Sequence, residues 1–347
     1  MIDPHVHLRD WNQTDKETLR HAFAVAARCG IDGLFEMPNT DPPLTDDRAI
    51  RRRIAEADRT IRDLGLHLFH GLYAGITADP AQLGTVVSLH RELFPRVVGL
   101  KLYAGHSTGR MGVITREDQK IVWDTLGPLD YRGVVAIHAE TEELLKPQLW
   151  DPTHPISHGR ARPPEAEAHS IAQQIALADE AGFSGAIHIC HITTPEGLDE
   201  VTRARRSRTV RVGVTPHHLL LNEEVALHSR VPEWRVNPPL RDERRRQELW
   251  DRLVSGEIDW IESDHAPHTW SDKVAGAAGL PGIPAFRLLR DRLIDLVGTE
   301  RTTRLTGSAV IEAFGIERFV EREGEVPPFD YRSMGTEYPW DPYRFLS

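Results

Sequence analysis

Cysteine is scarce in this chain: the 347 residues contain only Cys29 and Cys190, which lie far apart and can form one bridge at most. A scaffold held together by several disulfides is therefore excluded. The sequence also lacks any stretch of 18 or more apolar residues, and Met1 to His5 show neither the basic nor the apolar region of a signal peptide. We expect a cytoplasmic protein with no membrane partner.

Positive charge is also in deficit, since the formal net charge is -10. No stripe of lysine and arginine interleaved with aromatic residues is present, so a nucleic-acid partner is not expected. The locally basic run from Arg203 to Arg211 is interpreted as the solvated face of a helix. With 40% hydrophobic and 27% charged residues the chain has the composition of a globular protein with a large core. The length of the chain favours an α/β barrel, because barrels of more than about 250 residues often form a single domain.

Short β-branched and apolar runs recur along the chain, and each is followed by a stretch with helical periodicity, such as residues 16–29 and 165–181. Eight βα units predict a (β/α)8 TIM-type barrel over residues 1–320. A doubly wound sheet is the alternative, but it would gather its ligand residues at one switch point. Residues 321–347 show no period and are expected to pack on the barrel as a C-terminal tail. The eight runs are 2–8, 33–37, 67–73, 97–103, 133–138, 185–192, 210–215 and 258–263.

Histidine and aspartate residues recur near the carboxyl ends of the predicted strands, which is the catalytic face of a barrel enzyme. His5 and His7 lie two residues apart, so both point to one face of the first strand. His138, His191 and Asp264 follow later strands and complete a set of nitrogen and oxygen ligands that suits zinc. The alternative for the first pair is ordinary burial in the core, and His188, whose parity differs from that of His191, is interpreted as structural.

Lys101 stands on an apolar strand, where a lone lysine needs a carboxylate partner or loses its charge. Desolvation and nearby cations lower the pKa of such an amine. A neutral amine beside two metal ions can add carbon dioxide, and the resulting carbamate can bridge both ions. A salt bridge from Lys101 to Asp264 is the alternative.

Eight short motifs lie between residue 3 and about residue 284 and so cover most of the chain. They are His5-Val6-His7-Leu8-Arg9, Met37-Pro38-Asn39-Thr40, Gly99-Leu100-Lys101, His138-Ala139-Glu140, Cys190-His191-Ile192, Thr215-Pro216-His217-His218, Asn237-Pro238-Pro239-Leu240-Arg241 and Asp264-His265-Ala266-Pro267-His268. In content and order these motifs resemble those of the dihydroorotases, within the amidohydrolase superfamily.

The resemblance implies two Zn²⁺ ions bridged by N6-carboxylated Lys101 and a hydroxide. One ion would be held by His5, His7 and Asp264, and the other by His138 and His191. Asp264 would also be the catalytic acid and base. The substrate would be bound by Arg9, Asn39, Asn237, His268 and the backbone near Gly279.

The reaction implied is the reversible cyclisation of N-carbamoyl-L-aspartate to L-dihydroorotate, a step of pyrimidine synthesis. Arg9 favours this substrate, since it lies two residues beyond His7, is expected on the same strand face, and its guanidinium fork fits a carboxylate. A salt bridge from Arg9 to Asp10 or Asp3 is the alternative, as is a simple turn role for Asn39. The longer family members carry a small β-sandwich, which we do not expect here because the chain begins at the first strand.

The sequence is compatible with two other functions. The metal ligands alone do not distinguish a dihydroorotase from a hydantoinase, an allantoinase or a dihydropyrimidinase. Some barrels that resemble dihydroorotase have lost their ligands and act only as scaffolds for aspartate transcarbamoylase, but every expected ligand is present here. Association with that enzyme, or homo-oligomerisation, is compatible with the sequence. The candidate lids are residues 103–111 and the region 237–241.

Overall fold

A computed structural model describes residues 1–107, 111–229, 231–318, 320, 326–344 and 346. Its eight strands are all parallel and pair in sequence order, as expected for a TIM-type barrel and not for a doubly wound sheet. A parallel bridge between Val6 and His265 links the last segment to the first strand. The strands are β1 Ile2–Val6, β2 Gly33–Glu36, β3 Phe69–Gly75, β4 Val97–Ala104, β5 Val134–Ala139, β6 Ala186–Ile189, β7 Val210–Val214 and β8 Trp260–Ile261.

Helices alternate with these strands and cover the outside of the barrel. Additional short helices lie in the loops at its carboxyl end. The α-helices are α1 Leu19–Arg28, α2 Asp47–Leu64, α3 Pro80–Leu93, α4 Arg116–Leu126, α5 Ser157–Ala161, α6 Pro164–Glu180, α7 Pro195–Ala204, α8 Pro216–Leu220, α9 Glu243–Ser255, α10 Trp270–Val274, α11 Ile283–Val297, α12 Thr299–Thr303, α13 Ala309–Phe314 and α14 Tyr331–Gly335. Three 3₁₀ turns, Glu142–Leu144, Pro147–Leu149 and Glu223–His228, and a π turn, Arg304–Ser308, complete the set.

Local sequence explains where several helices begin and end. Thr194 caps α7 with its hydroxyl, and the proline that follows it occupies the first helical turn, where no amide proton is needed. Asp46 caps α2 in the same way. That helix ends at Gly65, which adopts the left-handed conformation with φ 65°. These signals place the helices correctly between the strands.

The core has two layers, because strand residues alternate between the barrel interior and the surrounding helices. One apolar cluster fills the space between strands and helices, and a smaller one, including Phe35, Tyr73 and Trp260, is formed by side chains of the other parity. Phe314 of α13 contacts these three aromatic rings. The helix thus helps to close the barrel at the end opposite the histidines, which leaves the carboxyl end for a site.

A buried ion cluster joins β2, β3 and α2 beneath the loop that follows β1. Glu36, Arg53 and His70 are all at most 1% exposed. Arg53 Nε donates to Glu36 at 2.9 Å, His70 Nε2 lies 2.9 Å from the same carboxylate, and Arg53 Nη2 donates to the Arg9 carbonyl at 3.1 Å. Burial alone raises the pKa of Glu36, but the charges of Arg53 and His70 outweigh it and hold that pKa low.

Replacement of Arg53 by methionine is expected to destabilise the fold by about 3–5 kcal/mol, because an unpaired carboxylate remains buried. Urea unfolding monitored by circular dichroism measures this change. The control is Arg52→Met on the exposed side of α2, where the ion pair with Glu56 contributes less than about 1 kcal/mol. Equal unfolding midpoints for the two variants would contradict the role given to Arg53.

The interpretation of the basic run as a helix face is wrong for most of its members, because α7 ends at Ala204. Arg205 and Arg211 both pair with Asp259, and Arg208 pairs with Asp179. These arginines therefore join loops at the amino end of the barrel. The charges of these three arginines are paired with carboxylates.

Residues 326–344 lie against the barrel. The Tyr338 hydroxyl donates to Glu17 at 3.1 Å, and Trp234 Nε1 donates to the Pro342 carbonyl at 3.0 Å. The predicted boundary between barrel and tail, at residues 320 and 321, falls beside residues 319 and 321–325, which lie outside the described part, as do 345 and 347 of the tail. In the described ranges all strands belong to the barrel, and none of their helices has the length and apolarity needed to span a membrane.

Candidate active site

The carboxyl ends of the strands surround a cavity that contains most of the residues singled out from the sequence. Its walls come from strands on all sides of the barrel, as the ring-like distribution of polar residues predicted. Lys101 lies below this lining and is fully buried. His268 also lies behind it. The lining residues are His5, His7, Arg9, Asn39, Tyr103, Ser107, His138, His191, Asn237, Asp264, Ala266, Ala278 and Gly279.

The first three predicted zinc ligands converge on one point. His7 Nε2 lies 3.1 Å and His5 Nε2 lies 3.4 Å from the same oxygen of Asp264. Two donor atoms bound to one tetrahedral zinc ion are separated by roughly 3.3 Å, given bonds of about 2.0–2.1 Å. The three atoms therefore have the spacing of ligands in a common coordination sphere.

Both histidines are oriented by their other ring nitrogen. Asn39 Oδ1 accepts the proton of His7 Nδ1, and Glu262 Oε1 lies 3.4 Å from His5 Nδ1. With the protons on Nδ1, each Nε2 carries a lone pair that faces Asp264. This arrangement matches the outer hydrogen bonds that usually fix the ring of a metal-bound histidine.

The predicted ligands of the second ion form a separate pair. His138 Nδ1 lies 3.2 Å from His191 Nε2, again the spacing of two zinc ligands. His138 Nε2 lies 3.1 Å from Glu140, and with the ring proton on Nε2 the Nδ1 atom would be free to bind a metal ion. The His191 ring stands 5.1 Å from the ring of His5 and thereby joins the two groups of ligands.

Lys101 lies between the two groups, and the alternative salt bridge with Asp264 is not formed. Its Nζ donates to Cys190 Sγ at 3.1 Å, and no carboxylate of the described residues is paired with it. Burial lowers the pKa of His5 most, and the charge of Lys101 is the second largest cause. The same charge also lowers the pKa of His138 and of His191. This position between the two predicted ligand groups suits a bridging carbamate.

The protonation states also fit a metal site. Burial lowers the pKa of His5 to about 4 and lowers that of His7, so both rings are neutral near pH 7. Burial raises the pKa of Asp264, but the contacts with His7 and His5 lower it by more, so the carboxyl stays ionised. Neutral imidazoles and an ionised carboxylate are the forms that bind zinc. With the imidazole protons on Nδ1, the lone pairs of both rings and of Asp264 face one point, where a cation would satisfy them all.

Three site residues adopt the left-handed backbone conformation that non-glycine residues seldom use. The φ angles are 51° at Arg9, 38° at His191 and 45° at Asp264. Each follows the end of a strand, and the turn aims its side chain at the mouth of the barrel. Such conformations cost roughly 1–3 kcal/mol each and concentrate at functional sites.

The side chain of Arg9 lines the cavity because of a turn after β1 and not because of alternation along the strand. The expectation that Arg9 shares the strand face of His7 is wrong, because β1 ends at Val6 and residues 9–11 form a left-handed turn. Arg9 is 2% exposed, and it donates to the Pro267 carbonyl and to His268 Nε2, each at 3.1 Å. No salt bridge joins it to Asp10 or Asp3. Within the described part of the chain, the guanidinium therefore retains donors that no carboxylate accepts.

His268 contacts Arg9 from behind the cavity wall. Burial and the Arg9 charge lower the pKa of His268 to about 2, so the ring is neutral. Arg9 Nη2 lies 3.1 Å from His268 Nε2, which also lies 3.0 Å from the Ala278 carbonyl, and His268 Nδ1 faces Asp272 at 3.5 Å. The geometry makes His268 a residue that holds Arg9, and a direct contact with substrate stays a prediction.

Asn237 and Gly279 form the wall opposite the zinc ligands. Asn237 Oδ1 lies 3.0 Å from His158 Nε2. Gly279 has a φ of 139°, and a Cβ there would stand 2.6 Å from the Ala266 carbonyl, so only glycine fits. The fully buried Lys273 donates to the carbonyls of Arg235 and Gly279 at 3.0 and 2.9 Å. The lysine thus ties the two segments of this wall together.

Two carboxylates that sequence reasoning left without a role stand behind the predicted ligands. Glu262 is fully buried and accepts from His188 Nε2 at 2.8 Å, as well as from the His191 amide. Gly213 leaves room for it, since a Cβ there would meet the Glu262 carboxylate at 2.1 Å. The contact with Glu262 agrees with the structural role expected of His188. The sequence offered one signal for Glu262: it lies two positions before Asp264, and alternation along a strand would place both side chains on the same face.

Glu140 is the second of these carboxylates, and it shares the parity of His138. It accepts two hydrogen bonds from Arg162 Nε, at 3.0 and 3.1 Å, and Arg162 also donates to the His106 carbonyl at 2.7 Å. This buried pair connects a predicted zinc ligand to the loop after β4. That loop is one of the two lid candidates, but its residues 108–110 lie outside the described part.

The chain is similar to several curated proteins named dihydroorotase. It is 36% identical to the protein of Pyrococcus horikoshii over 287 residues, which cover 82% of this chain and 57% of that protein. For Pyrococcus furiosus the identity is 32% over 340 residues, with 97% of this chain and 72% of the relative covered. For Halobacterium salinarum it is 32% over 328 residues, with 92% and 72% covered. The chain spans about three fifths of the length of some of these relatives.

Solved structures are similar in fold. An L-hydantoinase (dihydropyrimidinase) from Arthrobacter aurescens superposes with a TM-score of 0.78 at 23% identity, covering 91% of this chain and 71% of that one. A dihydroorotase from Campylobacter jejuni superposes with a TM-score of 0.67 at 18% identity, covering 91% and 83%. No family model matches the chain. At these identities the structural likeness establishes the barrel fold alone.

Proposed function

The chain belongs to the dihydroorotase family, and from that premise we propose that it catalyses the reversible hydrolysis of L-dihydroorotate to N-carbamoyl-L-aspartate. In the reverse direction this reaction closes the ring in pyrimidine synthesis. The observation that carries the proposal is the convergence of the six predicted zinc ligands beside a cavity that Arg9 also lines. The six ligands are His5, His7, Lys101, His138, His191 and Asp264.

In the proposed site, His5, His7 and Asp264 would hold one zinc ion and His138 and His191 a second, with N6-carboxylated Lys101 between them. When bound, such ions supply a hydroxide near neutral pH and polarise the amide carbonyl. Asp264, ionised and facing the cavity, would accept the proton of the attacking water and deliver it to the ring nitrogen that leaves. The remaining side chains bind and orient the ring.

Arg9 supports dihydroorotate as the substrate, because this ring carries a carboxylate and the uncharged dihydropyrimidines do not. The guanidinium of Arg9 is buried, pairs with no carboxylate of the described ranges and borders the cavity, so it can donate a charge-assisted pair of hydrogen bonds. Asn39 and Asn237 would flank the ring, and Gly279 allows it to approach the backbone closely. A hydantoinase, allantoinase or dihydropyrimidinase activity remains the second candidate, since the zinc ligands are compatible with it.

The test is hydrolysis by zinc-loaded protein, measured as the loss of ultraviolet absorbance of dihydroorotate, with hydantoin and dihydrouracil assayed in parallel. We expect turnover of dihydroorotate alone and about two zinc ions per chain by elemental analysis. Lys101→Met is expected to reduce both metal content and activity, because it removes the bridging group. The control Lys120→Met, in an exposed ion pair on α4, should leave both unchanged.

Either of two results would reject the proposal. Turnover of the uncharged rings alone would keep the metal site and replace the substrate. Absence of turnover with metal bound would favour a scaffold that binds aspartate transcarbamoylase. Association with that enzyme, or with further copies of this chain, is compatible with the proposed activity and is measured by size-exclusion chromatography with light scattering.

A further inference from the structure

A buried tyrosine borders the cavity without using its hydroxyl. Tyr103 is 3% exposed and lines the cavity, yet its hydroxyl has no hydrogen-bond partner among the described residues. A buried polar group without a partner costs folding free energy, so such groups are rare and need an explanation. Two other buried tyrosines are satisfied, since Tyr73 donates to the Pro4 carbonyl and Tyr338 donates to Glu17. The buried Tyr343 hydroxyl also lacks a partner among the described residues, but Tyr343 does not line the cavity.

The position of Tyr103 relates it to the reacting groups. It lies two residues after Lys101 on β4, so both side chains point into the barrel. Lys101 Nζ stands 5.0 Å from the centre of the tyrosine ring, and the His138 ring is 6.3 Å from it. Tyr103 therefore borders the predicted His138 and His191 side of the cavity, beside the predicted bridging group.

A phenolic hydroxyl can donate one hydrogen bond, and that of Tyr103 meets no acceptor among the described residues. A preorganised donor that becomes satisfied only when a substrate oxygen arrives can stabilise charge that develops during the reaction.

We propose that the Tyr103 hydroxyl is a catalytic residue that donates a hydrogen bond to the amide carbonyl oxygen of the ring under attack. This inference rests on the proposed cyclic-amide hydrolysis and adds a protein donor to its site. The bond strengthens as negative charge accumulates on that oxygen, so its effect falls on kcat more than on KM. The carboxylate of the ring is left to Arg9.

The test is Tyr103→Phe, which removes the hydroxyl and retains the ring. We expect kcat to fall about 100-fold with KM nearly unchanged, as for removal of one donor to a developing oxyanion. The melting temperature of the metal-free protein should not fall, because the lost hydroxyl has no partner among the described residues. The matched control is Tyr131→Phe, which removes a buried hydroxyl that donates to the Val134 carbonyl at 3.3 Å. It should lower the melting temperature and leave kcat unchanged.

Three results would overturn the proposal. A lower melting temperature for Tyr103→Phe would make the hydroxyl structural, an effect on KM alone would move it to substrate binding, and an unchanged kcat would remove it from catalysis. Failure of the proposed substrate is distinguishable: if the wild-type chain hydrolyses hydantoin or dihydrouracil instead, the same kcat comparison is made on that ring. A wild-type chain inactive on all three rings would overturn the inference as well.

Discussion

Asp264→Asn is expected to abolish hydrolysis, with a loss of at least about 1,000-fold in kcat, because an amide cannot accept the proton of the attacking water. The substitution also weakens a ligand on which His5 and His7 converge. Initial rates with dihydroorotate measure the loss. Metal content, determined on the same preparation, separates the two contributions: a variant that retains zinc but remains inactive has lost the proton transfer.

Asp259→Asn is the matched control for this experiment. Asp259 pairs with Arg205 and Arg211 at the amino end of the barrel, far along the strand from the cavity. Its amide variant is expected to lose some stability and to keep its kcat. More than a tenth of wild-type activity in Asp264→Asn would exclude Asp264 as the acid and base of the reaction.

Arg9→Met is expected to reduce kcat/KM for dihydroorotate by at least about 100-fold, because two hydrogen bonds to a charged group contribute roughly 1.5–3 kcal/mol each. Any activity on dihydrouracil, which has no carboxylate, should remain within about threefold of wild type, since the charge-assisted bonds are not made to that ring. The ratio of the two activities is therefore the decisive measurement. It reports substrate selection independently of how much active enzyme each preparation contains.

Arg9→Lys tests the geometry of this contact, since it keeps the charge and removes the planar fork. We expect it to recover only part of the lost activity. Arg9 also donates to Pro267 and His268, so zinc content is measured for both variants to establish that the loop carrying Asp264 is intact. Unchanged kinetics in Arg9→Met would rule out dihydroorotate recognition by this residue and favour the uncharged rings.

Several site residues could be placed from local sequence because strand parity governs them. His5 and His7 share a face, Lys101 stands on an apolar strand, and His138 ends another, and in the structure all four approach the same end of the barrel. Their approach follows from the parallel order of the strands, which brings all carboxyl ends together. The resemblance to the dihydroorotases, drawn from the motif order, is confirmed by relatives that match most of the chain.

Other features depend on contacts that no local pattern records. Arg162 reaches Glu140 from 22 residues away, and Tyr338 reaches Glu17 from a distance of 321 residues. Hydrophobic periodicity describes one element at a time and carries no information on which elements meet. The same limit explains the error over Arg9, whose left-handed turn breaks the alternation on which the parity argument relied.

By itself, the sequence determined that this protein is a (β/α)8 barrel of the dihydroorotase family with a set of potential zinc ligands, because strand alternation and motif order are local properties. Only the tertiary structure decided that Arg9 is held by Pro267 and His268. It also decided that, among the residues it describes, Lys101 has no carboxylate partner and the Tyr103 hydroxyl has no hydrogen-bond partner. Those outcomes depend on which side chains meet across the barrel. Packing of distant segments determines them, and packing is a property of the whole chain.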